Sequence, residues 1–98
     1  MSITVEIVAA ASHKYRETYP EEFEYFRKGQ EELSDEQKTR RFELMTKAIN
    51  GDQDAIATIK EHTKDRPEGT KEQLDHFVTS FPEEFREKVR ATILEIRS

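Results

Sequence analysis

Three histidines, His13, His62 and His76, are the residues of this chain best suited to move a proton or hold a metal near neutral pH. No two of them lie three or four residues apart, and the pattern His-Glu-x-x-His does not occur. Two have a carboxylate one helical turn away. Glu17 follows His13 by four residues and Glu72 precedes His76 by four, which puts each pair on one face of a helix. A carboxylate beside an imidazole can work as an acid–base pair. At a helix surface the same spacing usually gives a contact of little energy, and that reading is preferred. His62 shares a helical face with Ala55 and Ile59 and is expected at the edge of the core.

The other reactive arrangements are missing. Without cysteine there is no thiolate ligand, no sulfur nucleophile and no disulfide. Gly-x-Ser-x-Gly is absent. The three glycines, at 29, 51 and 69, are too scattered to cradle a phosphate. Asn50-Gly51-Asp52-Gln53-Asp54 looks like part of a calcium loop but lacks the full spacing and the closing Glu. It reads instead as a helix stop at Gly51 followed by an Asp cap. The chain is therefore not expected to be an enzyme, and no metal or cofactor is expected.

Two groups could serve as contact surfaces. Tyr15, Tyr19, Phe23, Tyr25 and Phe26 are five of the nine aromatics and fall within twelve residues. Tyrosine supplies rigid contact area with a polar tip, which suits an interface. Most of this cluster is expected in the core, with Tyr25 off the stripe and exposed. Lys38, Arg40, Arg41 and Lys47 form the second group, with Arg41 near the apolar face, where it would snorkel or pair with a buried carboxylate. The partner-binding candidates are Tyr15, Tyr19, Tyr25, Lys38, Arg40 and Arg41. Leu94 points away from its helix's apolar stripe, towards the first segment, a second copy of the chain or solvent.

The elements that would position these residues are announced by helix caps. A Ser or Thr followed three residues later by Glu or Gln satisfies two orphan backbone N–H groups reciprocally. The pattern occurs at Thr18–Glu21, Ser34–Gln37, Thr70–Gln73 and Ser80–Glu83. Asp52 can cap another start, Gly29 and Gly51 stand where helices should stop, and Pro67 blocks continuation. Six helical segments follow, at roughly 3–16, 19–28, 35–49, 53–64, 71–79 and 82–96. The later ones carry apolar stripes at helical spacing: Tyr19, Phe23 and Phe26; Phe42, Met45, Ala48 and Ile49; Ala55, Ile56 and Ile59; Leu74, Phe77 and Val78; Phe85, Val89, Ile93 and Ile96. The first is ambiguous. Ile3, Val5 and Ile7 alternate as in a strand, while Val5, Val8, Ala11 and Tyr15 suit a helix. Helix is preferred because a lone strand would have no partner. Pro-Glu-Glu-Phe occurs at 20–23 and again at 82–85, which is read as local convergence rather than duplication.

Length and composition agree with this pattern. The 98 residues suit one domain, 1–98, able to bury about 60–65% of its unfolded surface. Charged residues are 38% and hydrophobic residues 34% of the chain. That balance would suit disorder but for the orderly punctuation and periodic stripes. The expected fold is all-α, a compact orthogonal bundle of five or six short helices. Such a count in under 100 residues resembles, in architecture alone, death-fold adaptor modules and small helical immunity or phage-encoded inhibitor proteins. No motif carries either likeness, so no residue role is transferred. Net charge is −5, with 8 basic and 10 acidic residues through Ile49 and 8 and 11 beyond it. No basic tail favours nucleic acid. The longest apolar run, Ile7 to Ala11, is too short to span a bilayer, and a cytoplasmic location is expected. The expected function is a non-catalytic protein-interaction module: a regulator, adaptor, inhibitor or immunity-type protein whose partner is another protein, with self-association left open. The alternatives are a nucleic-acid-binding regulator using the third segment and, less favoured, a small enzyme or ligand-binding protein.

Overall fold

The helices begin where short polar side chains satisfy the first free N–H groups. The computed structural model describes residues 2–22, 34–64 and 69–98. Thr4 opens α1, Val5–Thr18, its hydroxyl accepting from the Ile7 N–H at 3.3 Å. Ser34 opens α2, Asp35–Ile49, with a complete box: its hydroxyl accepts from the Gln37 N–H, and the Gln37 side chain accepts from the Ser34 N–H. Asp52 opens α3, Gln53–Thr63, accepting from the N–H groups of Asp54 and Ala55 at 3.0 and 3.1 Å. Thr70 and Gln73 form a second complete box at α4, Lys71–Thr79. α5, Glu83–Arg97, starts after Pro82 without a side-chain cap. Pro20, Glu21 and Glu22 are helical as well.

Two expected boxes do not form. Thr18 is the last residue of α1, which runs two residues past its expected end. Ser80 turns back instead, donating its hydroxyl to the His76 carbonyl at 3.0 Å. Its place is taken by Arg86, whose Nε donates to the Phe81 carbonyl at 3.0 Å and Nη2 to the Thr79 carbonyl at 3.2 Å. One guanidinium thus fastens the turn between α4 and α5. Gly51 ends α2 as expected, at φ +99°, a left-handed backbone that glycine adopts without strain. The expected stops Gly29 and Pro67, and residues 23–28 of the second segment, lie outside the described residues.

The all-α architecture expected from the caps is the one observed, and no described residue is in a strand. α1 packs on α2 and α4, α2 packs on α3, and α5 lies against α2, α3 and α4. The radius of gyration, 12.6 Å, is that of a compact globule. The larger core cluster joins Ile3, Val8, Ala11, Ile49, Leu74, Val78, Phe81, Phe85 and Val89, and a smaller one joins Ala48, Ala55 and Ile56. Val8 and Ala11, Ala48 and Ile49, Leu74 and Val78, and Phe85 and Val89 fall on the expected stripes. Ile3 and Phe81 do not: they lie outside the helices, yet are 2% and 1% exposed. Among the described residues no buried side-chain nitrogen or oxygen lacks a partner. No described helix is long and apolar enough to cross a membrane.

The ambiguous N-terminal stretch resolves as the preferred helix, which begins at Val5 rather than Ile3. Val5 onwards is helix, and Ile3 before it is not. The partner it needs is a side chain: the Asn50 amide accepts from the Ile3 N–H at 3.0 Å and donates to the Ile3 carbonyl at 3.0 Å. An amide side chain here supplies the donor and acceptor that a neighbouring strand's peptide would. It sits at the end of α2, 47 residues away in sequence.

Candidate functional site

The densest gathering of polar and aromatic chemistry lies where the end of α1 meets α4. α1 presents Tyr15, buried, and Tyr19 follows it at the helix end, half-buried. α4 presents Glu72, His76 and Phe77, all on neighbouring turns. Glu22 reaches in from residues 20–22. Its carboxylate accepts from the Tyr15 hydroxyl at 3.0 Å through Oε1 and from His76 Nδ1 at 2.7 Å through Oε2. A carboxylate cannot donate, so the Nδ1 nitrogen carries the hydrogen. His76 Nε2 lies 4.0 Å from Oε1 of Glu72.

The rings form a continuous ladder from surface to core. His76 lies flat on Tyr19, centroids 4.0 Å apart and planes within 5°. Tyr19 leans on Tyr15 at 5.8 Å, Tyr15 meets Phe77 edge-to-face at 5.4 Å, and Phe77 meets Phe81 edge-to-face at 5.2 Å. Edge-to-face pairs bring the positive rim of one ring to the negative face of another. Burial pushes the Tyr15 hydroxyl well above the usual tyrosine range. The hydrogen bond to Glu22 and its negative charge add to that effect, and Arg97 opposes it. Tyr15 therefore remains a donor, and Glu22 an anchor for both α1 and α4.

A second polar link joins α4 to α5, where Arg90 pairs with Asp75. That guanidinium holds the Asp75 carboxyl below its ordinary value, mainly by hydrogen bonding. Further ion pairs among the described residues are exposed. His13 and Glu17 meet at 2.9 Å on α1, and Arg40 meets Glu36 at 2.6 Å on α2. Pairs so open to solvent contribute little.

The expected contact residues separate. Tyr15 is 5% exposed and its hydroxyl is committed to Glu22, so it is a core residue rather than a contact residue. Tyr19 keeps an accessible side on top of His76. Tyr25 lies outside the described residues, as do Phe23 and Phe26. Lys38 is half-buried on α2, and Arg40 and Arg41 are exposed there, on a different helix from the tyrosines. Arg41, expected near the apolar face, is exposed, with the buried residues of α2 at its far end, Ala48 and Ile49. His62 is exposed rather than at the core edge. Leu94 is 51% exposed.

The sequence reading missed Glu22 as the partner of His76. The local candidate, Glu72, sits four residues away but is the more distant contact. The two Pro-Glu-Glu-Phe stretches also part company: Glu22 is bonded inside the α1–α4 seam, whereas Glu84, its counterpart, is exposed on α5. Glu84, Glu87, Lys88 and Ala91 line a shallow, open depression floored by Phe85. Among the described residues no three His, Cys, Asp or Glu side chains come together as a metal site. Comparison with protein-family models, curated proteins and solved structures finds no match to this chain.

Proposed function

We propose that this protein is a small interaction module of the cytoplasm, acting on another protein as a regulator, adaptor, inhibitor or immunity-type factor, by binding rather than by catalysis. The observation that supports this reading is where the reactive side chains spend their bonding capacity. Glu22, His76 and Tyr15 tie α1 to α4, Arg90 and Asp75 tie α4 to α5, and Arg86 fastens the turn between those two helices. A network spent on rigidity leaves the surface as the working part, and a rigid surface loses less entropy on binding. The accessible side of Tyr19 with Glu72 beside it, and the Arg40–Arg41 face of α2, are the proposed contact areas. The first offers an aromatic anchor of the kind that dominates interfaces.

The full chain, used as bait, would identify a partner by affinity capture and mass spectrometry. The purified partner is then titrated against folded Tyr19→Ala and Arg40→Glu/Arg41→Glu variants. At least a tenfold loss of affinity in one of them supports the reading, and unchanged affinity in both removes these surfaces. The nucleic-acid alternative is weakened by Arg40, whose charge is shared with Glu36. A gel shift at low salt, where phosphate contacts are strongest, decides it.

A further inference from the structure

Asn50 is the single asparagine of the chain, and Gly51 follows it. Asparagine is a thermally labile residue. Its side-chain carbonyl carbon is one ring closure away from the nitrogen of the next peptide unit, and before glycine no side chain shields that nitrogen. We propose that Asn50 is a self-modification site gated by Ile3: when Ile3 lets go of the Asn50 amide, that amide is lost as ammonia, and Ile3 cannot be held in the same way again. This chemistry belongs to the chain alone and does not rest on the binding reading.

The covalent step needs only water. The Gly51 nitrogen gives up its proton and bonds to Asn50 Cγ. The bond from Cγ to the side-chain nitrogen breaks, and that nitrogen leaves, with the proton, as ammonia. Water then opens the five-membered imide at either carbonyl carbon and returns a hydrogen to the Gly51 nitrogen. Opening at Cγ gives aspartate. Opening at the backbone carbon gives isoaspartate, whose main chain runs through Cβ.

Three features hold the reaction back in the folded chain. The Asn50 amide is pinned by Ile3, accepting from its N–H and donating to its carbonyl, each at 3.0 Å. The Gly51 N–H is engaged with the Ala48 carbonyl at 3.0 Å. Asn50 has ψ 1°, which eclipses the Gly51 nitrogen with Asn50's own backbone nitrogen and turns it away from Cγ. Ring closure needs the reacting atoms about 3–3.5 Å apart and aligned. The site is otherwise open: Asn50 is exposed, and a Cβ built on Gly51 would meet no described atom within 4 Å. Detaching Ile3 frees the amide to turn, and water is already at hand.

The product undoes the attachment. A carboxylate cannot donate to the Ile3 carbonyl and sets a negative charge against it. Isoaspartate also lengthens the main chain just before Asp52, whose side chain caps α3 at the N–H groups of Asp54 and Ala55.

The test follows the purified full chain in warm, mildly alkaline buffer by intact mass. Exchange of NH2 for OH adds about 1 Da, and peptide mapping places the gain at Asn50. Wild type is compared with Ile3→Ala, which weakens the attachment, and with Val89→Ala, which thins the same core cluster from α5. Local opening raises the reactive population without global unfolding. The expected result is that Ile3→Ala converts at least about tenfold faster than wild type, while Val89→Ala stays within about twofold of it. Equal rates in wild type and Ile3→Ala, or a Val89→Ala rate as high as that of Ile3→Ala, overturn the proposal. If Ile3→Ala does not fold, Ile3→Val takes its place, with an expected gain of at least about threefold; no gain overturns the proposal. The converted fraction, separated by its extra negative charge, should unfold at lower urea than the unconverted chain. Coincident midpoints would overturn the loss of the Ile3 attachment.

Discussion

Replacing Asn50 with alanine removes the side chain that bonds both backbone groups of Ile3, and the cost can be worked from the geometry. Two neutral hydrogen bonds of 3.0 Å are lost, at about 1 kcal/mol each. The Ile3 N–H and carbonyl lose their partners beside a side chain that is 2% exposed. Incomplete rehydration there adds about 1–2 kcal/mol. The sum, about 3–4 kcal/mol, is a large share of the roughly 5–15 kcal/mol that holds a domain of this size together. With a urea slope of about 1–2 kcal/mol/M, the unfolding midpoint should fall by about 1.5–4 M. Asn50→Asp keeps the acceptor for the Ile3 N–H and sets an oxygen against the Ile3 carbonyl, so it should cost at least half as much. Ile3→Ala should lose its additivity with Asn50→Ala, because both disrupt the same attachment. The reasoning is refuted if Asn50→Ala lowers stability by less than about 0.5 kcal/mol, or if the two substitutions add without coupling.

The remaining predictions concern the core, the turn and the titrating groups. Phe81→Ala empties a fully buried site in the turn before α5 and should cost about 3–5 kcal/mol by urea unfolding. Gly51→Ala places a Cβ in open space but at φ +99°, so backbone strain alone should lower stability by about 1–2 kcal/mol. Tyr15 has its hydroxyl raised above the ordinary value of 10.0 in the folded state. Its contribution is therefore intact below that pH and is lost as pH rises beyond it, with a slope of at most about 1.4 kcal/mol per pH unit. Tyr15→Phe should remove that alkaline loss, read as urea midpoints on either side of pH 10. Asp75 behaves in the opposite sense, since Arg90 holds its carboxyl below 3.8. Its contribution is present above that pH and fades as acid protonates it, so Asp75→Asn should flatten the acid limb of the stability profile.

Much of the fold is legible in local sequence because helix starts and apolar faces are short-range matters. Ser34, Asp52 and Thr70 act within three residues of themselves, and each does what its type and spacing imply. Ser80 fails because a competing acceptor, the His76 carbonyl, lies one turn back, and because Arg86 secures the turn in its place. Thr18 fails because α1 continues through it. Ile3 and Phe81 escape a search for helical stripes since neither is in a helix; tertiary packing alone buries them. The candidate site was legible only in part. Glu72 and His76 could be paired from their spacing, and most of the tyrosine cluster was expected inside, where Tyr15 lies. The decisive contacts, Glu22 with His76 and Asn50 with Ile3, span 54 and 47 residues. No local periodicity encodes a contact of that range.

The α1–α4 seam is most directly tested by a double-mutant cycle between Glu22→Ala and His76→Ala, with stability measured by urea unfolding at neutral pH. A half-buried carboxylate–imidazole bond of 2.7 Å that fastens one element to another should give a coupling energy of about 1–2 kcal/mol, the two substitutions together costing less than the sum of each. Additivity within about 0.3 kcal/mol would contradict it, since it would mean that the two side chains meet without holding anything together.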